Sequence, residues 1–205
     1  MDIILQRPLV CFDLETTSLD TKLARIVEIC CIKCHPDGRQ EMLCEQLNPE
    51  QPIPADTISI HGITDEAVEF CPTFRDRAHI YWGFFANTDV AGYNVIHYDW
   101  PLLNAEWKRA GLYHPVSWQP QLVDPCRIFR WMERRRPRRH DLQSAVRFYL
   151  NEELENAHCA ETDTLAALRI LEAQVERYRD LPGNVASLAR YSKRRATPGR
   201  SRSPA

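Results

Sequence analysis

Three apolar segments at the start of the chain have the length and pattern of β-strands. They cover residues 8–14, 25–34 and 41–47. Pro36, Asp37 and Gly38 separate the second segment from the third, and this composition is typical of a tight turn. The second and third segments are therefore predicted to form an antiparallel hairpin beside the first strand.

After the hairpin, helical and strand-like patterns alternate. Helices are predicted over 64–70, 73–87, 99–111, 141–150 and 160–178, and strands over 88–94 and 121–125. Thr64 is a plausible N-cap, Gly111 ends the third helix, and Pro182 with Gly183 ends the last one. This order predicts an α/β fold with a mixed sheet, whose later strands enter through helical crossovers.

The length of 205 residues suits one well-buried domain with an appendage. We expect a folded domain over 1–180 and a flexible basic tail over 181–205, whose Arg, Ser, Pro and Gly content buries little apolar surface. No apolar run reaches the ~18 residues of a membrane helix, and the N-terminus lacks the features of a signal peptide. A cytoplasmic location without membrane contact is expected.

The cysteines are predicted to be reduced. Cys11, Cys30 and Cys31 lie within apolar strand segments, where cysteine behaves as a small hydrophobic residue. Cys31 and Cys34 form a single C-x-x-C with no second pair at zinc-finger spacing, so a metal site there is not predicted. A reducing compartment explains the composition more simply than disulfides do.

The net charge of −2 conceals two basic segments. Residues 127–141 contain seven arginines, at 127, 130, 134, 135, 136, 138 and 139, and residues 190–205 contain six basic residues and no acid. The rest of the chain is therefore strongly acidic. This asymmetry suits a protein that binds a polyanion at one place and gathers carboxylates at another. A solvated arginine-rich loop is the alternative interpretation.

Four acids lie near the ends of predicted elements. Asp13 and Glu15 close the first strand and point to the same face, because side chains alternate along a strand. Asp99 begins a helix after the strand over 88–94, and Asp163 lies in the first turn of the last long helix. Singly, Asp99 could be an N-cap and Asp163 an ordinary first-turn acid. In open α/β sheets, however, ligand sites gather at the carboxyl ends of strands.

Three segments that contain these acids resemble, in order, the motifs of the DEDDh 3′–5′ exonucleases. They are FDLETT at 12–17, GYNVIHYDWPLL at 92–103 and HCAETDTLAAL at 158–168, with SIHGITDEAV at 59–68 between the first and second. The family includes the proofreading subunit of bacterial DNA polymerase III (DnaQ-like proteins), ribonuclease T and exonuclease I. The resemblance covers about residues 7–175. It implies a ribonuclease H-like α/β fold, with a mixed five-stranded sheet flanked by helices.

The resemblance also implies a metal site and a base. Asp13, Glu15, Asp99 and Asp163 would hold two Mg²⁺ ions, with Mn²⁺ as a substitute, because hard divalent ions prefer carboxylate oxygens. His158 would act as general base, since histidine is the side chain whose ordinary pKa lies closest to neutral. Five residues separate it from Asp163, which on a helix turns it about 140° away, so His158 is predicted to precede the helix in a loop.

Further residues are carried over as contacts to the terminal nucleotide. They are Thr16, Thr17, His61, Gly62, Ile63 and Asn94. Without the family resemblance, the sequence of His61–Thr64 predicts only a loop. Ser18 stands where the family usually has glycine, and the spacing from Asn94 to Asp99 is one residue longer than usual, which leaves the placement of Asn94 and His97 open.

The predicted function is a metal-dependent 3′–5′ exonuclease that releases nucleoside 5′-monophosphates from single-stranded nucleic acid, with DNA favoured. An exoribonuclease and a non-catalytic nucleic-acid-binding module on the same fold are the alternatives, and His158 with the four acids favours catalysis over the latter. A polymerase partner is a third alternative. The short arginine- and serine-rich tail is a poor candidate for the long C-terminal segment that such a subunit uses.

Overall fold

A computed structural model describes residues 3–113, 118–135, 139–155 and 157–194. The strands within these ranges are β1 (Leu9–Thr16), β2 (Ile26–Cys34), β3 (Gln40–Gln46), β4 (Asp89–Ala91) and β5 (Leu122–Val123). The helices are α1 (Ala55–His61), α2 (Asp65–Val68), α3 (Phe74–Phe85), α4 (Asp99–Arg109), α5 (Pro125–Met132), α6 (Leu142–Leu150), α7 (Ala160–Arg177) and α8 (Val185–Lys193).

The strands form one mixed sheet in the order β3-β2-β1-β4-β5. The hairpin β2-β3 and the pair β1-β2 are antiparallel, whereas β4 runs parallel to β1 and β5 runs parallel to β4. The predicted mixed five-stranded sheet is confirmed. β1 is its central strand, and its near-continuous apolar sequence agrees with burial on both faces.

Alternation along β1 divides the core into two layers. Val10 and Phe12 face the layer of α3 and α4, where the largest buried side chain is Trp107. Leu9 and Cys11 face the layer of α5 to α8. Asp13 and Glu15 continue the series of Leu9 and Cys11, so both point toward the face covered by α7.

The strands β4 and β5 are shorter than the predicted segments. At Gly92, directly after β4, a Cβ would lie 2.6 Å from the backbone oxygen of Phe12. The chain approaches the middle of β1 so closely there that only glycine fits. β4 ends at this point, and the following residues turn toward α4 instead of extending the sheet.

Two helices before residue 180 lie where the sequence patterns predict none. α1 shares only His61 with the predicted loop His61–Thr64, and no element was predicted for its other residues. Gly62 ends the helix in the left-handed conformation with φ 74°. The helix has no buried residue and so no apolar periodicity to detect. α5 lies within the arginine-rich segment, where Asp124 caps it and Pro125 occupies its first position. The prediction gave that segment no helix because its arginines obscured the buried Ile128 and Phe129.

The folded domain extends beyond the predicted boundary at residue 180. α8 begins at its N-cap Asn184 and buries Val185, Leu188 and Ala189 in the layer that contains α5 and α7. Arg190, which lies within the predicted tail, is part of this helix. The remainder of the predicted tail, 195–205, lies outside the described residues.

The prediction that every cysteine is reduced is wrong for one pair. Cys30 and Cys44 lie directly opposite each other in the β2-β3 register with Cα atoms 4.0 Å apart, and they form a disulfide. Sequence spacing could not show this because the register brings them together. Cys31 and Cys34 lie on opposite faces of β2, so they do not form a common metal site.

Within the described ranges, no helix has both the length and the apolar composition needed to cross a bilayer.

Candidate active site

The first pair of acids lies at the carboxyl end of β1. Glu15 is 8% exposed and Asp13 is half-buried, although both are carboxylates. The register with β2 shifts between Glu15 and Thr16, which marks an irregularity in the strand directly after Glu15. The acids therefore lie where the sheet ends and the chain turns into the loop after Thr16.

The third motif approaches the same edge of the sheet from α7. His158 is exposed, precedes the helix by two residues, and has the left-handed backbone conformation with φ 66°. This confirms the prediction that it lies in a loop. Ligand atoms of Glu15, His158 and Asp163 lie within 4.8 Å of one another. The structure thus brings together one acid from the strand and both residues of the third motif.

Asp99 reaches the same region from α4. It is the first residue of the helix, the N-cap position belongs to Tyr98, and Asp99 itself is only 5% exposed. The alternative interpretation of Asp99 as a simple N-cap does not agree with this position, because Asp99 lies inside the helix and Tyr98 precedes it as the cap residue. A backbone hydrogen bond from Leu14, which lies between Asp13 and Glu15, reaches the Asp99 carboxylate.

The pKa values show that these acids lie close enough to repel one another, and His158 only partly offsets the effect at Asp163. Burial raises the pKa of Glu15 to about 8, with the negative charge of Asp163 adding to it. Burial also raises the pKa of Asp99 to about 7 and that of Asp163 to about 6. The pKa of Asp13 is raised by burial and then by the charges of Asp99 and Asp163. A carboxyl cluster of this kind favours either protons or a cation.

The donor set fits a hard divalent cation. Oδ1 of Asp163 is buried and has no hydrogen-bond partner among the described residues, although a buried carboxylate oxygen normally has one. Carboxylate oxygens are the ligands that Mg²⁺ prefers, and a bound cation would compensate the mutual repulsion of the acids. Asp13, Glu15, Asp99 and Asp163 are thus suitable residues to hold such ions.

A cavity of about 570 Å³ opens beside Glu15 and His158. It is lined by Leu14, Glu15, Thr16, Thr17, Ser18, Leu19, Pro54, Asp56, Thr57, Ile60, His61, Tyr98 and His158. Three of the predicted nucleotide contacts, Thr16, Thr17 and His61, are among them. We refer to this space as the nucleoside cavity, because its size and mixed lining suit one nucleoside.

The other predicted contacts lie elsewhere. Ile63 is buried in a small apolar cluster with Val27, and Gly62 forms the C-cap of α1. Asn94 has the left-handed conformation, and its N–H donates to the Oδ1 atom of Asp124 at 3.0 Å. None of these three lines the nucleoside cavity. Their contact with a nucleotide remains a prediction, and their observed contacts are structural.

Tyr98 links the first two motifs and was not singled out from the sequence. Its hydroxyl contacts Oγ1 of Thr16 at 2.5 Å and donates to the backbone oxygen of Ser18. Ser18, which stands where the family usually has glycine, thus fixes the loop after β1 through its carbonyl. The signal for Tyr98 was its place directly before Asp99, at the start of a helix.

Glu28 is a second residue that the sequence analysis did not single out. It lies on β2 directly opposite Glu15 in the strand register. Its Oε2 accepts a hydrogen bond from the backbone N–H of Ala160, the first residue of α7, at 2.9 Å. The available signal was that Glu28 is the only acid within the apolar segment 25–34.

The described part of the basic segment borders the site on its other side. A second cavity of about 320 Å³ contains His158 and Asp163 together with Arg139 and Arg147. Arg127, on the first turns of α5, contacts Nε2 of His97 at 3.4 Å. Arg136 and Arg138 lie outside the described residues.

Comparison with known proteins gives the family. The model of the exonuclease family named RNase_T matches residues 10–171. The chain belongs to this exonuclease family. The resemblance found in the three sequence motifs is therefore confirmed, and the acids and His158 all lie within the matched region.

Relatives and solved structures agree with this membership. The chain is 39% identical over 100 residues to an exonuclease of Escherichia phage 186, with 49% of each protein covered. It is 26% identical over 164 residues to the PolC-type DNA polymerase III of Lacticaseibacillus paracasei, covering 80% of this chain and 11% of the polymerase. The chain thus spans about half of the phage relative and about a tenth of the polymerase.

Two solved structures show the same fold. Exonuclease I superposes with a TM-score of 0.74 at 20% identity, covering 91% of this chain and 43% of that one. E. coli exonuclease I in complex with a dT13 oligonucleotide gives a TM-score of 0.69 at 20% identity, covering 85% and 42%. The ribonuclease H-like fold expected from the sequence is confirmed.

Proposed function

We propose that this protein is a metal-dependent 3′–5′ exonuclease that hydrolyses single-stranded nucleic acid, DNA in preference to RNA, to nucleoside 5′-monophosphates. The observation that carries the proposal is the convergence of Glu15, His158 and Asp163, of which Glu15 and His158 line a cavity large enough for a nucleoside. Asp13 and Asp99 add two buried or half-buried carboxylates at the same edge of the sheet.

Two Mg²⁺ ions held by Asp13, Glu15, Asp99 and Asp163 would acidify the attacking water and offset the negative charge that develops on the phosphate. The buried and unpartnered Oδ1 of Asp163 supports this assignment. The four carboxylates lie at one edge of the sheet, where a scissile phosphate would approach them from the nucleoside cavity.

His158 is proposed to accept the proton of the attacking water. It is exposed and borders both cavities, so an imidazole nitrogen is accessible from the space between them. Because it lies in the connection between α6 and α7, two residues before the helix begins, its ring has freedom that a helical position would not give. A general base contributes typically ~10²–10⁴-fold to such a reaction.

The walls of the nucleoside cavity suit the terminal base and sugar. Leu19 and Ile60 are 84% and 53% exposed, and such apolar side chains at a cavity mouth suit contact with the faces of a base. His61 adds a polar group: its Nδ1 accepts from the N–H of Ile63 at 3.0 Å, which leaves Nε2 as the donor. The N–H of Nε2 points toward the backbone of Thr16, so His61 joins α1 to the loop that borders the cavity.

The second cavity and the basic segment are proposed to hold phosphates on the 5′ side of the scissile bond. Arg139 shares this cavity with His158 and Asp163. Arg134 lies over the ring of Trp131 at 4.6 Å, and Arg194, the C-cap of α8, lies over the same ring at 5.2 Å. Two positive charges and one aromatic ring thus lie together at the C-terminal end of α5. This arrangement suits a nucleic-acid strand that is bound without sequence preference.

The relatives are the reason for proposing DNA as the preferred substrate. Several are DNA polymerases, and a structural neighbour was solved with a deoxyribose oligonucleotide. The same polymerase relatives make a polymerase-associated proofreading role the second candidate. A non-catalytic binding module is disfavoured, because unneutralised acids at the cavity mouth would repel phosphate.

A degradation assay on matched oligonucleotides tests the proposal. Single-stranded DNA and RNA of one sequence carry a 5′ label in one set, to follow the shortened chains, and a 3′-terminal label in a second set, to follow the released mononucleotide. The products are resolved with Mg²⁺ and with excess chelator. We expect a ladder that shortens from the 3′ end, free nucleoside 5′-monophosphate, faster decay of DNA, and no reaction in chelator. Internal cleavage, 3′-phosphate products, or activity in chelator would contradict the proposal, and faster decay of RNA would reverse the substrate preference.

A further inference from the structure

The N-terminus of α7 has a cap that comes from another element. The local N-cap residue, Cys159, makes no side-chain capping bond. Ala160, the first helical residue, is fully buried, so its N–H needs a protein partner. Oε2 of Glu28, on β2 and 132 residues earlier in the chain, accepts that hydrogen bond at 2.9 Å. A carboxylate at this position also interacts favourably with the helix dipole.

This bond lies between the two residues that the proposed chemistry needs from the third motif. His158 precedes Ala160 by two residues, and Asp163 follows it by three. Within the turn, Oδ2 of Asp163 accepts from the N–H of His158 at 3.2 Å, which holds the turn together internally. The Glu28–Ala160 bond fixes the same turn to the sheet.

The strand register determines what the turn is fixed to. Glu28 lies directly opposite Glu15, and Gln46 on β3 donates to its other carboxylate oxygen at 3.4 Å. The position of Glu28 is therefore fixed from both neighbouring strands. The Glu28–Ala160 hydrogen bond therefore joins the start of α7 to the strand pair that carries Glu15, in addition to the chain connection before α7.

The carboxylate of Glu28 accepts the Ala160 hydrogen bond, but its negative charge also repels the neighbouring acids. The negative charge of Glu28 raises the pKa of Glu15 and of Asp163, so it disfavours the ionised state of both neighbours. A neutral acceptor of the same shape would avoid this repulsion. The hydrogen bond to Ala160 and the charge of Glu28 can therefore be separated experimentally with glutamine, which keeps an acceptor oxygen and removes the charge.

We propose that Glu28 is a positioning residue that sets the start of α7 and thereby aims His158 and Asp163 at Glu15. Its contribution is the hydrogen bond to the N–H of Ala160 and not its charge. The effect on catalysis rests on the proposed exonuclease function, whereas the effect on the backbone of the turn does not.

Steady-state kinetics on single-stranded DNA separate the two properties of Glu28. Glu28→Ala is expected to lower kcat by roughly 10–100-fold with little change in KM, the usual range for residues that orient a ligand or base. Glu28→Gln should keep kcat close to wild type, because its amide oxygen accepts the same hydrogen bond. If Glu28→Gln is as defective as Glu28→Ala, the charge matters and the positioning role is wrong.

Thr164→Val is the matched control. Oγ1 of Thr164 donates to the backbone oxygen of Cys30 at 3.2 Å, so it also joins α7 to β2, one turn beyond Ala160. Valine keeps the shape and loses the bond. Thermal unfolding of all three variants controls for folding. A loss of kcat in Thr164→Val equal to that in Glu28→Ala would assign the effect to general docking of α7 and overturn the proposal.

Amide hydrogen exchange gives a readout that does not need activity. The Ala160 amide should exchange faster than in wild type in Glu28→Ala, and at the wild-type rate in Glu28→Gln and Thr164→Val. Unchanged protection in Glu28→Ala would overturn the proposal. If wild type is protected at Ala160 but degrades no nucleic acid, the proposed function fails while the Glu28 bond stands.

Discussion

The N–H of His158 donates a hydrogen bond to Oδ2 of Asp163 at 3.2 Å, across five residues of sequence. On a regular helix, these side chains would point about 140° apart. The left-handed conformation of His158 removes it from the helix and folds it back over the first turn. A ligand and a base can thereby come from one short segment. Several expectations follow from the way this segment meets the acids of β1 and α4.

Removal of a central acid should abolish activity without unfolding the protein. Asp163→Ala and Asp13→Ala each delete a proposed ligand and also relieve like-charge repulsion. Both variants should show no nuclease activity in Mg²⁺, and in chelator they should melt at or above the wild-type temperature. Glu161→Ala, which removes an exposed acid from the same first turn of α7, is the control and should remain active. Full activity of either ligand variant would exclude the proposed metal site.

The metal-free protein should lose stability as pH rises, because the folded state holds protons that the unfolded state releases. The pKa values of Glu15, Asp99 and Asp163 are raised to about 8, 7 and 6 in the folded protein. A carboxyl whose folded pKa exceeds its unfolded value destabilises the fold from about pH 4 upward, with the full effect above the folded pKa.

Denaturant unfolding in chelator, followed from about pH 4 to about pH 8, measures this effect. The stability difference between Glu15→Gln and wild type should grow in favour of the variant as pH rises, because glutamine does not ionise. Added Mg²⁺ should stabilise wild type more at high pH than at low pH, and the variant less. A difference that does not change with pH would mean that Glu15 ionises normally in the fold.

The basic segment should act on binding and not on the chemical step. Neutralising Arg134, Arg135, Arg136, Arg138 and Arg139 together should raise KM, flatten its salt dependence and leave kcat nearly unchanged. Arg139→Gln alone should show part of this effect, because it borders the cavity beside His158. Arg169→Gln, whose arginine pairs with Glu152 on the exposed surface, serves as the control for loss of one positive charge. An unchanged dependence of KM on salt concentration would favour the alternative interpretation, a solvated arginine-rich loop.

The positions of the motif residues could be predicted because each motif is local. Asp13 and Glu15 share a face because side chains alternate along a strand. The family resemblance requires His158 and Asp163 at one site, and their spacing then places His158 before the helix. The apolar runs of β1 and β2 are long enough to identify. In contrast, α1 buries none of its side chains, so no periodicity indicates that it is a helix.

The contacts that the sequence could not predict connect distant segments. Glu28 reaches Ala160 across 132 residues, and Tyr98 reaches Ser18 across 80. The Cys30–Cys44 disulfide depends on a strand register that spacing alone does not determine. α8 was missed for a different reason: its C-terminal half has the basic composition of the tail, and only its packing on α5 and β5 distinguishes it from the tail.

The rate at which His158→Ala releases nucleoside 5′-monophosphate at saturating Mg²⁺ tests the proposed chemistry most directly. Loss of a general base should lower this rate by about 10²–10⁴-fold, while the Mg²⁺ concentration needed for half-maximal rate stays at the wild-type value. The acid limb of the wild-type pH–rate profile should shift in the variant, and small imidazoles should restore part of the rate. Ligand atoms of His158, Glu15 and Asp163 lie within 4.8 Å of one another, so His158 could instead share a metal ion with the two acids. A wild-type rate and pH profile, or a defect cured entirely by more Mg²⁺, would show that His158 is not the base.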